Sequence, residues 1–93
     1  MAVWVDPLMD LGWSLGPSCH LMADTSVELH DFAARLGMRR SWFQDKGRLS
    51  HYDLTARRRE RAVSLGALEL DSRASVRRAL ASAASLSGSP VAD

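Results

Sequence analysis

The sequence predicts a small α/β domain, and three observations carry that prediction. Short β-branched or aromatic runs ("AVWVD", "CHLMA", "RSWFQ", "ALEL") alternate with stretches of helical period. Gly and Pro punctuate the chain between them, and its 93 residues suit one domain with a modest core. The expected order is β-β-α-β-α-β-α: a mixed four-stranded sheet with helices packed on it over residues 1–86, then a flexible tail over 87–93.

The first strand ends at Asp6, and "PLMDLGWSLGPS" reads as a loop. In the second strand, the two-residue period puts His20 and Met22 on one face and Cys19, Leu21 and Ala23 on the other. "TSVE" is a capping box, with Thr25 as N-cap and Glu28 three residues on. Leu29, Phe32, Ala33 and Leu36 follow as one apolar stripe, and Gly37 ends that helix. "RSWFQ" reads as the third strand and "DKGRLSHYDL" as a loop. A second helix is expected from near Thr55 to Gly66. "ALEL" has the pattern of an edge strand. A third helix over about 73–86, capped by Asp71 or Ser72, presents Val76, Ala79, Leu80 and Ala83 as its apolar side. Short strand–helix–strand links imply right-handed crossovers, so strands two, three and four are expected to run parallel. The helix-free link from strand one to strand two favours an antiparallel hairpin, with a parallel neighbour as the alternative.

Cys19 is the single cysteine, which excludes an internal disulfide and a multi-cysteine metal site. The N-terminal "MAVWVD" lacks the basic start of a signal peptide, and no apolar run approaches membrane length. A cytoplasmic protein without a membrane partner is expected. Charge is unevenly placed. Residues 1–34 carry five acids and no Lys or Arg, while residues 35–61 carry nine basic residues against three acids. This asymmetry fits an anionic partner, or two halves that pair with each other; the second weighs slightly more. The basic residues are arginines except Lys46, which suits bidentate contacts to carboxylate or phosphate.

Ligands of open α/β sheets bind beyond the carboxyl ends of the strands. Asp24 ends strand two, Gln44 ends strand three, and His51, Tyr52 and Asp53 lie in the next loop, so these groups are expected to converge near two helix N-termini. His51 and Asp53 are the candidate catalytic pair, and Asp24, Gln44, Tyr52 and Arg59 the candidate ligand-binding groups. Asp6 and His20 join them if strand one is parallel, and otherwise lie toward the opposite end. Each has a plainer role. Asp53 can cap the second helix, although Thr55 can do so alone; Tyr52 can pack on the sheet, and His20 can be a hydrogen-bonded core residue. Arg59 shares a helical face with Ala56 and Val63, so its head can reach a carboxylate or an anion. Arg57, Arg58 and Arg61 read as a solvated face, and Cys19 as a core residue. Trp13 and Trp42 can stack on a base, with core packing weighing more for Trp42. His51 and Asp53 can ligate a divalent metal with Asp24 or His20 as third group, or work as acid–base partners. Neither a zinc-type spacing, a Gly-rich phosphate loop nor a G-x-S-x-G elbow is present.

"VWVD", "CHLMADT", "ELHDFAARLGMRRSWFQ", "HYDLTARRR" and "LGALEL" together resemble a small bacterial and phage family, the domain-of-unknown-function family four-zero-three-one. The resemblance covers about residues 1–72 and leaves out the last helix. It implies that Asp6, His20, Asp24, His30, Trp42, Gln44, His51, Tyr52 and Asp53 recur in the family and share one polar site; it implies no activity. Two functions follow as expectations. One is a site for a phosphate-bearing small molecule, nucleotide or nucleic-acid end, with metal-assisted phosphoester chemistry as an extension. The alternative is a non-enzymatic interaction module acting as a homodimer.

Overall fold

Alternation along three short strands builds a sheet with two unlike faces. The computed structural model describes residues 2–10 and 12–87. The elements are β1 (Val3–Val5), β2 (Ser18–Ala23), α1 (Ser26–Arg35), β3 (Tyr52–Thr55), α2 (Ala56–Ser64), β4 (Leu68–Glu69) and α3 (Ser72–Ser87). The sheet order is β3-β2-β1-β4. Val5, Cys19, Leu21, Tyr52 and Leu54 turn to one face, where Leu29, Phe32 and Ala33 of α1 and Ala62 of α2 complete a buried core. Trp4 and Met22 turn to the other face, under Ala79 of α3. The result is three layers, with α1 and α2 on one side of the sheet and α3 on the other.

The helix ends follow local chemistry. Thr25 Oγ1 accepts from the Glu28 N–H, and Thr55 Oγ1 accepts from the Arg58 N–H. Thr55 therefore caps α2 without Asp53. Gly37 and Gly66 follow α1 and α2 at φ +77° and +108°, the left-handed conformation that lets a helix stop at glycine.

Two expectations are corrected. Residues 40–44 form no strand: Arg40–Trp42 is a 3₁₀ turn, and Gln44 makes only an isolated bridge with His51. The third strand is instead "YDLT", inside the stretch read as a loop. Strand two also does not run parallel to strands three and four. β2 pairs antiparallel with both β1 and β3, and among hydrogen-bonded neighbours only β1 and β4 run parallel. The reason lies after α1. That helix returns the chain along the sheet, but residues 38–51, with 3₁₀ turns at Arg40–Trp42 and Gly47–Leu49, carry it back again. β3 therefore enters from the opposite end, and the crossover rule does not apply.

The first link does close an antiparallel pair, with Trp4 opposite Met22. α3 docks through Ala79, as its apolar side suggests, but with Ser75 beside it in place of Val76 and Leu80. Ser75 and Ala79 are buried while Val76 and Leu80 stay exposed, and the Trp4 indole N–H donates to Ser75 Oγ at 3.0 Å. Of the tail expected over 87–93, residues 88–93 lie outside the described residues. No helix among the described residues is long and apolar enough to cross a membrane.

Candidate metal centre

Because "SHYDLT" is extended, the two-residue strand period places His51 and Asp53 on one face and Tyr52 and Leu54 on the other. Asp53 is the cross-strand partner of His20 in β2. Asp6 continues β1 on the same side, next to His20. Two antiparallel pairings thus bring together four residues from three chain segments. Antiparallel β1 was expected to send Asp6 and His20 away from His51. The reversal of β3 cancels that effect and collects all four.

Asp6 is buried, and its carboxylate holds His20 twice. Oδ1 accepts the His20 backbone N–H at 2.7 Å and Oδ2 accepts from Nδ1 at 2.7 Å. A carboxylate oxygen only accepts, so Nδ1 carries the proton and the lone pair of neutral His20 lies at Nε2. The hydrogen bond that His20 donates to Asp6 raises the His20 pKa above its ordinary value, against an opposing push from burial. His51 is set by a carbonyl instead. Its Nδ1 donates to the Leu49 carbonyl at 2.8 Å, which again leaves the lone pair at Nε2.

The two free nitrogens face one carboxylate. His51 Nε2 lies 3.3 Å and His20 Nε2 4.0 Å from Asp53 Oδ1. Three donor atoms from His20, His51 and Asp53 fall within 4.8 Å of one another, and the two rings meet edge to face with centroids 4.6 Å apart. Atoms ligating one tetrahedral ion at about 2.0–2.1 Å sit roughly 3.3–3.5 Å apart, so small side-chain shifts suffice for ligation. The set matches the imidazole–carboxylate chemistry of zinc and neighbouring transition metals. Asp6 stands where a supporting carboxylate orients a metal-binding histidine. The donors reach solvent: Asp53 is 36% exposed, His20 26% and His51 14%.

The remaining candidates lie apart or turn away. Asp24 is tied by Arg78, Ser82 and the Ala2 N–H, at 3.0, 2.6 and 2.7 Å, and these donors hold its pKa down to about 2. It sits at the far end of β2 from Ser18, which pairs with Thr55 at the start of α2. The N-termini of α1 and α2 are therefore separated by the length of a strand and do not converge. Tyr52 faces the core, where its hydroxyl meets His30 Nδ1 at 2.8 Å. Burial pushes that phenol up and that imidazole down. Arg59 is engaged within the fold: Nε donates to the Asp6 carbonyl at 2.9 Å and Nη1 pairs with Glu69 at 3.1 Å. Gln44 stays at the rim, in a cleft it shares with Asp53. Cys19 is buried, which pushes its thiol up to about 12 and leaves it unreactive.

Two readings need amending. Trp42 is exposed rather than a core residue, and Arg58 leaves the solvated face to lie over its ring at 5.3 Å. The pairing of His20 with Asp6 has no local signature, although "VD" and "CH" each end or begin a strand; only the strand register puts them in contact.

Residues 3–82 match the family described as Protein of unknown function (DUF4031). The match runs ten residues past the expected boundary and takes in the Arg78 and Ser82 that hold Asp24. No curated protein and no solved structure matches the chain.

Proposed function

The chain belongs to the DUF4031 family, and we propose that its His20–His51–Asp53 cluster holds a divalent transition-metal ion that acts on a phosphate ester. One observation carries the reading. With both Nδ1 atoms donating elsewhere, the groups that meet at 3.3 and 4.0 Å are all electron-pair donors. Lone pairs at that separation repel unless a proton or a metal cation sits between them. A bound ion would supply a Lewis acid for the phosphoryl oxygen and would acidify a water so that, as hydroxide, it could attack the phosphorus. The protein's part is to hold His20 through Asp6, to hold His51 through the Leu49 carbonyl, and to leave the outer side open to solvent. Water then adds to phosphorus, the ester P–O bond breaks, and the departing oxygen takes a proton.

Titration calorimetry with Zn²⁺, Mn²⁺ and Ni²⁺ tests this. One ion per chain is expected for at least one metal, with His51→Ala weakening it at least 100-fold. Unchanged affinity in His51→Ala overturns the reading. If no metal binds and His51 titrates together with Asp53, the pair holds a proton, and acid–base work replaces metal chemistry.

A further inference from the structure

Trp4 is fully buried, yet Trp13 and Trp42 are 38% and 42% exposed, and both line one cleft of about 310 Å³. An indole that could bury most of its large apolar surface is instead left in water twice, in the same place. Asp53 lines the same cleft, so its wall includes one of the candidate metal ligands. Arg58 also lines it, with its guanidinium 5.3 Å from the Trp42 ring, and Arg39 approaches that ring at 6.0 Å. A guanidinium over an aromatic face keeps its in-plane N–H groups free for phosphate oxygens. Arg58 is shared with a neighbouring hollow on α2 that Arg57 and Arg61 flank, with Glu60 between them. The exposed aromatics, the arginine track and the metal-site carboxylate are thus contiguous.

We infer that this cleft binds single-stranded nucleic acid, with an unstacked base against Trp42 and Trp13 and the backbone phosphates along Arg58, Arg57 and Arg61. This names the substrate class of the proposed metal centre and rests on that reading for its chemistry, though not for its binding. A single strand fits because a base must leave its stack to lie on a side chain, and every base offers a π-face. Gln44 at the rim adds an amide able to meet a base edge.

The test is fluorescence anisotropy of a labelled oligothymidylate of about ten nucleotides, measured at low salt both in EDTA and with Mn²⁺. Binding is expected in EDTA, and it should weaken steeply as salt rises. Trp42→Ala and Arg58→Gln should each weaken it about ten-fold or more, and Trp42→Phe should recover most of the loss. Both side chains are solvent-accessible, and Arg58→Gln keeps the proposal testable should Trp42→Ala unfold. Equal affinity in wild type, Trp42→Ala and Arg58→Gln overturns the inference. So does tighter binding of a duplex of the same length, or no binding in either buffer. Metal uptake without oligonucleotide binding sinks the cleft alone; oligonucleotide binding without metal uptake supports the cleft and sinks the metal centre alone.

Discussion

Two carboxylates near opposite ends of the sheet show how surroundings decide a role. Asp24 receives donors on every side: the Ala2 N–H, both Arg78 contacts and the Ser82 hydroxyl. Asp53 meets two imidazole nitrogens whose protons point elsewhere. The first arrangement is complete within the fold and joins β2 to α3. The second is complete only with a proton or a cation. Both residues are aspartates in or next to a β-strand, one or two residues ahead of a threonine that caps a helix. The difference lies in which segments the tertiary structure delivers to each.

Asp6 is the sharpest point of attack, because it is the donor-satisfied base beneath the unsatisfied mouth. Asp6→Ala leaves the His20 N–H and Nδ1–H without their acceptor, and about 3 kcal/mol of stability should be lost in urea unfolding. Metal affinity should also fall by roughly 10–100-fold as the ring loses its orientation. Stability unchanged in Asp6→Ala would mean that His20 is held by something else.

Removing the satisfied carboxylate should cost less, since its partners reach water. Asp24→Ala is expected to lose about 2 kcal/mol, read as a lower urea midpoint, with metal binding intact. A loss of metal affinity there would erase the distinction between the two regions.

Acid should act on Asp24 in the same direction. Its folded pKa of about 2 lies below the unfolded value near 3.8. The stabilisation is therefore fully present above pH 3.8 and is lost as pH falls toward 2, on the order of 1–2 kcal/mol. Comparing unfolding midpoints of wild type and Asp24→Asn across that window checks it: the difference between the two proteins should shrink as pH falls.

The smallest effect has the opposite sign. Asp53→Asn in metal-free protein exchanges a facing lone pair for an amide N–H that can donate to His51 Nε2. Stability should hold or rise by a few tenths of a kcal/mol, by the same urea measurement. A loss as large as that of Asp24→Ala would make Asp53 a structural residue like its counterpart.

Local signals decided much of what the chain shows. The Thr25 and Thr55 caps, the Leu29–Phe32–Ala33–Leu36 stripe, the glycine stops and the split of β2 into a His20–Met22 face and a Cys19–Leu21 face were all legible, because each depends on residues within one or two turns. The nearness of His51 to Asp53 was legible as well, though from the wrong element: "SHYDLT" has the alternation of a strand, but the aromatic "RSWFQ", which starts twelve residues ahead of β3, carries the stronger strand signal.

What no local pattern carried was direction and partnership. Strand sense depended on whether residues 38–51 returned the chain across the sheet, a property of the whole path and not of its composition. That return sets His20 opposite Asp53, while the β1–β2 pairing brings Asp6 beneath His20 and the docking of α3 occupies Asp24. The sequence by itself determined which residues could do chemistry and which faces they share within a segment. The tertiary structure alone decided which of them meet, because a side-chain period says where an atom points along its own strand, and only strand register says what it points toward.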